Sequence, residues 1–258
     1  MRPISALADF AVNLEMWWSD LPRLARVERA AAAGFTSGEI WYWPNWDVDG
    51  LETACRAHNF TISQIGGWDF EPRMCDEPGV FRQAVGRAIE VATRLGASLI
   101  NLNGPYLAVG EAPQKVRAGV VDALRGAVDL ADAAGVRLMV EPMNVRVDHP
   151  GYSLPTSADV VAVCEEVGSA SVGINWDLYH LQIAEGDLTG HLAEGVSHVA
   201  YVQVADHPGR HEPGTGEIDY RFLLRRVREL GYRGTIGLEC IPRDTPERAV
   251  ERILAVAP

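Results

Sequence analysis

The chain has four cysteines in 258 residues, and Cys55, Cys75, Cys164 and Cys240 show no CxxC or zinc-finger spacing. That speaks against a disulfide framework and a structural zinc site, and the thiols are expected to be reduced in a cytoplasmic protein. No run of about eighteen apolar residues occurs, so no membrane span is expected. Residues 1–8 lack the charged-then-apolar order of a secretion signal. Positive charge is in deficit, 23 Lys and Arg against 35 Asp and Glu, for a formal net charge of -12. Such a balance offers no basic face to a nucleic acid. Low-complexity segments and linkers are missing too, so residues 1–258 read as a single domain. The composition, 47% hydrophobic and 22% charged, is that of a globular protein able to bury a sizeable core.

What is present is a repeated alternation of strand and helix. Short apolar stretches at 10–14, 38–41, 60–65, 98–102, 136–140, 172–176, 199–202 and 234–238 read as strands buried on both faces. Helical patterns follow each of them. The first is capped at Ser19 or Asp20 and runs to Ala33. The next span 51–58, 80–95, 113–134, 157–167 with Ser157 as cap, 182–194, and 220–230 behind Asp219. The last opens at Thr245, Pro246 and Glu247. Gly34, Gly96, Gly135 and Gly231 fall where helices should stop. Eight such units in this length predict an α/β fold, a (β/α)8 TIM barrel. A doubly wound open sheet is the alternative. It would more often carry a Gly-rich phosphate loop after its first strand, and residues 13–17, NLEMW, contain none.

In a barrel the carboxyl ends of the strands meet on one face. Four successive strands here end in an oxygen-bearing side chain: Glu141, Asp177, Gln203 and Glu239, spaced 36, 26 and 36 residues apart. Taken singly, a strand-end carboxylate more often caps the next helix or pairs with an arginine. Four at matching positions are another matter, because three carboxylates and an amide at one mouth repel one another without a cation. All are oxygen donors, which suits Mg2+ or Mn2+ better than zinc, with Ca2+ as a non-native occupant.

The stretch at 197–220, SHVAYVQVADHPGRHEPGTGEIDY, is the densest in special residues. With VEPMN at 140–144, DLYH at 177–180, NL at 13–14 and AGF at 33–35, it resembles the hydroxypyruvate isomerase family of the xylose-isomerase-like barrels. The resemblance covers nearly the whole chain, and HEPGTGEIDY at 211–220 is its strongest marker. It implies that Glu141, Asp177, Gln203 and Glu239 hold the metal and that Glu141 and Glu239 double as the acid–base pair. It also implies that His180 and Arg210 hold substrate oxygens. His211 joins them as a substrate-binding candidate, or else holds the Gly-Thr-Gly turn. The roles of Asp206, His207 and Glu217 stay open. The sequence departs from the family at Cys240 and Ile241, where an aromatic and then a basic residue are usual. The loops at 68–76, 104–111 and 146–151 also differ, so metal and chemistry carry over better than substrate does.

The implied reaction is aldose–ketose isomerisation of a small α-hydroxycarbonyl acid through an enediolate. A ketose epimerase or sugar isomerase on a longer substrate is the alternative; such epimerases typically carry His at the position of Gln203. A repair nuclease on the same barrel would need a His-rich zinc cluster and a basic face. A barrel that binds a small acid without turning it over is the remaining class. The tryptophans near the first three strand ends, among them Trp17, Trp18, Trp41, Trp43, Trp46 and Trp68, read as packing beneath loops. They also suit an apolar wall over the site or a contact in a homo-oligomer.

Overall fold

The computed structural model describes the backbone of residues 4–68 and 70–257, and side chains from residue 7 onward. In chain order the elements are β1 (Phe10–Asn13), α1 (Arg23–Ala32), β2 (Ser37–Ile40), α2 (Val48–His58), β3 (Thr61–Trp68), α3 (Pro78–Leu95) and β4 (Leu99–Leu102). There follow α4 (Pro113–Arg125), α5 (Val128–Ala134), β5 (Arg137–Val140), α6 (Ser157–Val167), β6 (Val172–Asp177), α7 (Leu178–Ala184) and α8 (Leu188–Gly195). β7 (Val199–Val204), α9 (Tyr220–Glu229), β8 (Ile236–Leu238) and α10 (Pro246–Val256) complete the order. Each strand pairs in parallel with the next, and β8 closes on β1 through Ala11 opposite Gly237. The expected eight-stranded barrel is the observed one.

Local chemistry explains most of the boundaries. Asp47 accepts from the Gly50 N–H and starts α2 three residues earlier than the apolar pattern suggested. Thr156, not Ser157, caps α6, and its hydroxyl pairs reciprocally with Asp159 in a capping box. α1 begins only at Arg23 behind Pro22, with no side-chain cap, so neither Ser19 nor Asp20 serves.

The expected long helix at 113–134 is two helices. The ladder breaks at Gly126 and Ala127, the latter at φ -118°. Arg82 of α3 lies across the break, donating to the freed Gly126 carbonyl and to the Asp129 carboxylate. A carbonyl that leaves the helical ladder needs another donor, and the guanidinium supplies it. Residues 182–194 also split, into α7 and α8, because Asp187 at positive φ restarts the helix as its own cap.

Most tryptophans do pack. Trp17 sits edge-on against Phe35 at 5.7 Å, and Trp68 against Phe81 at 5.3 Å. Trp41 is different: it is 43% exposed and stands at the barrel mouth. No helix among the described residues is long and apolar enough to cross a membrane.

Candidate active site

Barrel strands ordinarily fill the interior with Val, Ile and Leu. Here the interior carries a set of buried polar side chains, Asn13, Glu39, Gln64, Asn101, Asn175 and Gln203. Asn13, Glu39 and Gln64 stand side by side in register on β1, β2 and β3. The Glu39 carboxylate is their acceptor. Its Oε1 takes the Asn13 Nδ2 at 2.9 Å and the Gln203 Nε2 at 2.8 Å. Burial, and then the charge of Glu239, push the Glu39 carboxyl up to about 7.

The expected strand-end residues meet beside this network. Ligand atoms of Glu141, Asp177, Glu239 and His180 all lie within 4.8 Å of one another, and every one of these residues is buried. They form a group able to hold a metal ion. Glu141 Oε2 accepts from Asn101 Nδ2 at 2.6 Å and Asn175 Nδ2 at 3.0 Å. Glu239 Oε1 accepts from the Trp41 indole at 2.5 Å, and its Oε2 from Arg210 at 2.9 Å. Asp177 caps α7, its Oδ1 accepting the N–H groups of Tyr179 and His180. Its Oδ2 is buried and accepts from no N–H or hydroxyl donor, and the side chain that meets the Asp177 carboxyl is another acid, Glu239. A buried carboxylate oxygen without a donor is costly, and a cation is what this one fits. Burial and then the Glu239 charge raise the Glu141 and Asp177 carboxyls well above their ordinary range.

Gln203 is adjacent to Asp177 in register. Its side chain is bound to Glu39, and its Oε1 accepts from Asn175 at 2.5 Å, so its partners lie in the interior network rather than among the three carboxylates. Gly237, opposite Gln203 on β8, makes room for this pair. A Cβ there would stand 2.3 Å from Glu39 Oε2 and 2.9 Å from Gln203 Cγ. Gly237→Ala is therefore expected to destabilise by about 1–3 kcal/mol, as overpacked cores do, and thermal melting would register a drop of several degrees. An unchanged melting temperature would show that the network has slack.

The loop after β7 is built to deliver Arg210. Asp206 gathers the N–H groups of Gly214, Thr215 and Ile218, so it structures the turn. The His211 Nδ1 donates to the Ile241 carbonyl at 2.9 Å, and Ile241 N–H donates to the Arg210 carbonyl. His211 thus ties this loop to the segment after β8, while Asp206 holds the 214–218 turn, and His211 is not among the residues lining the cavity. Glu217 pairs with Gln182, and Glu212 with Arg252 and the Arg243 N–H. Neither meets Arg210, which packs over Tyr179 at 5.1 Å and reaches Glu239. Burial works against the Arg210 guanidinium, but Glu239, Asp177 and Glu141 hold it charged. His207 borders a separate groove with Arg146 and Gln182.

His180 meets polar neighbours at both ring nitrogens. Asn144 Oδ1 accepts from the N–H groups of Val147 and Asp148, which turns its Nδ2 toward His180 Nδ1 at 2.7 Å. Nε2 lies 3.3 Å from the Arg210 guanidinium, a donor only, and 3.9 Å from Glu141 Oε1, so donors face both ring nitrogens. Burial, and then Arg210, keep the ring neutral. Glu141, His180, Arg210, Glu239 and Trp41 line one cavity of about 420 Å3. Asp177 and Gln203 are not among its lining residues.

The family model described as xylose isomerase-like TIM barrel matches residues 27–256. The chain belongs to that family. A 2-oxo-tetronate isomerase from Cupriavidus necator is 34% identical over 91% of this chain and 93% of its own length. A hydroxypyruvate isomerase from Escherichia coli is 31% identical over 92% and 95%. A crystal structure from Brucella melitensis, described as an AP endonuclease of family 2, superposes with a TM-score of 0.90. It is 28% identical and covers 96% of this chain and 99% of that one. The one cluster able to hold an ion among the described residues contains a single histidine, not the several a multi-zinc nuclease would need.

Proposed function

We propose that the protein is a divalent-metal-dependent isomerase interconverting the aldehyde and ketone forms of a small hydroxy-carbonyl acid, of the hydroxypyruvate or 2-oxo-tetronate kind. The isomerase class is that of its curated relatives. The observation that carries the metal is the buried Glu141–Asp177–Glu239 cluster, with one Asp177 oxygen that no protein donor reaches. Glu141, Asp177 and Glu239 would hold Mg2+ or Mn2+, and Gln203 would join as a fourth oxygen donor by turning its Oε1 from the Asn175 amide to the ion. His180 is assigned to substrate, because it stands between Arg210 and Glu141 and lines the cavity.

When bound, the ion supplies positive charge against which negative charge develops on two neighbouring substrate oxygens. The chain's residues do the rest. One of Glu141 and Glu239 takes the proton from the hydroxyl-bearing carbon. The C–H electron pair becomes the double bond of the enediol, and the carbonyl oxygen gains the charge. The hydroxyl proton passes to the charged former carbonyl oxygen, a proton returns to the former carbonyl carbon, and the oxygen that gave up its proton re-forms a carbonyl, so one carbon is oxidised as its neighbour is reduced. The His180 imidazole, between Arg210 and Glu141, orients a substrate oxygen. Arg210, whose Nε is buried without a partner, holds the substrate carboxylate. Trp41 fixes Glu239 and shields the site from water.

The test is proton exchange in D2O with Mg2+ or Mn2+. Hydroxypyruvate or 2-oxo-tetronate is expected to take up deuterium at the exchanging carbon, to lose that exchange with a chelator, and to regain it when the ion is restored. Chelator-resistant exchange would remove the metal from the reading. Exchange with longer ketoses alone would move the function to sugar isomerisation or epimerisation.

A further inference from the structure

The cavity is larger than the smallest substrate needs. A three-carbon acid has seven heavy atoms and occupies on the order of 100 Å3, taking about half of water's ~30 Å3 for each. The cavity holds about 420 Å3. Some of its wall must therefore face a part of the substrate away from the carboxylates, or face water.

The lining away from the carboxylates includes Glu15, Arg23, Asn45 and Asn103, and also Phe70 and His149, which are backed by an aromatic group. Tyr106 and Tyr152 pack edge to face at 5.9 Å, and Phe70 lies 4.9 Å from Tyr106. His149 stacks among them, 5.7 Å from Phe70 and 5.5 Å from His180. Both of the loops involved are pinned. Tyr106 and Tyr152 form an antiparallel bridge, Leu107 N–H donates to the Gly151 carbonyl, and His149 N–H donates to the Asn144 carbonyl. The Tyr152 hydroxyl donates to the Glu141 carbonyl, which ties the wall to a strand end of the site. His149 is thus presented on a rigid support, as a recognition group must be.

Its ring is oriented as well. Nδ1 stands 2.7 Å from the Tyr106 hydroxyl. A phenol is the better donor and an imidazole nitrogen the better acceptor, so Tyr106 donates. Nε2 then carries the ring proton, as a donor, while the ring lines the cavity. Burial, and then Arg210, keep His149 neutral. A neutral N–H in an aromatic wall suits a hydroxyl or a carboxylate oxygen.

We propose that His149, set by Tyr106, is the specificity residue that reads the end of the substrate remote from the carboxylates, and that this substrate has at least one hydroxyl-bearing carbon more than hydroxypyruvate. This rests on the isomerase reading above. The experiment compares kcat/KM for 2-oxo-tetronate and hydroxypyruvate in the Mn2+-loaded wild type, in His149→Phe, in His149→Gln and in Tyr106→Phe. The wild type is expected to favour the four-carbon acid by about tenfold or more. His149→Phe keeps the stacking and should erase most of that ratio, chiefly through KM. His149→Gln, which restores a donor near Nε2, should recover part of it, and Tyr106→Phe should lower it about threefold. Equal losses for both acids in His149→Phe, or an unchanged ratio, would overturn the role of His149. A wild type that exchanges neither acid would overturn the isomerase reading and this inference with it, and the wild-type measurement alone reveals that case.

Discussion

Glu141→Gln and Glu239→Gln are each expected to lower kcat by about a thousandfold, the range for a lost acid–base group. The two substitutions differ in what else they disturb. Glu141 Oε2 receives both the Asn101 and the Asn175 amide. A glutamine can turn its single carbonyl oxygen to the same two donors, so Glu141→Gln should fold normally. It should even gain stability, since it removes a carboxylate that burial already drives toward its neutral form. Glu239 accepts on both oxygens, from Trp41 and from Arg210. A glutamine leaves one of those donors facing an amide N–H, at a cost of about 1–3 kcal/mol. Steady-state rates with thermal melts separate the two cases. Near-wild-type turnover in either variant, with the melt unchanged, would show that the carboxylate moves no proton.

The barrel was legible because each unit carried its own punctuation. Gly96 and Gly135 end α3 and α5 in the left-handed conformation, as their positions suggested. The break between α4 and α5 was not legible, because its cause is Arg82 on another helix, 44 residues away in sequence. The strand-end carboxylates stood out by their spacing. Glu39 did not, since it lies inside a four-residue strand on the far side of the chain from that run. A signal for it existed: Asn13, Glu39, Gln64, Asn101 and Asn175 are polar residues within otherwise apolar strands. Buried polar groups must find partners: Asn13 and Gln64 find Glu39, and Asn101 and Asn175 find Glu141. His149 carried no comparable signal, because its meaning depends on Tyr106, 43 residues earlier, being zipped beside it.

Cation-free protein is expected to lose stability as the pH rises from 6.5 to 8, the reverse of ordinary acid denaturation. Glu39 is pushed to about 7, and Glu141 and Asp177 are pushed well above their ordinary range; burial is the leading cause for all three. In the unfolded chain these groups release their protons near pH 4–4.5. Above that the folded state binds more protons than the unfolded one, so unfolding becomes easier with rising pH until each folded-state carboxyl has titrated. His180 and His149, held neutral by burial, act in the opposite direction. Their effect ends near pH 6.5, where the unfolded chain's histidines are neutral too. Above that point only the carboxylates remain, each worth roughly 1.4 kcal/mol per pH unit while it still holds its proton. For a chain of this size that is a fall of several degrees in Tm between pH 6.5 and 8. Mg2+ or Mn2+ at a hundred times its Kd should add about 2.7 kcal/mol, and more effectively at pH 8 than at pH 6.5, because the protons it must displace from these carboxyls are released more readily. Calorimetry across pH with chelator, then with either ion, makes the comparison. A Tm that climbs from pH 6.5 to 8 in chelator would mean that these carboxylates are ionised and stabilised by the protein alone, which would leave no place for the cation.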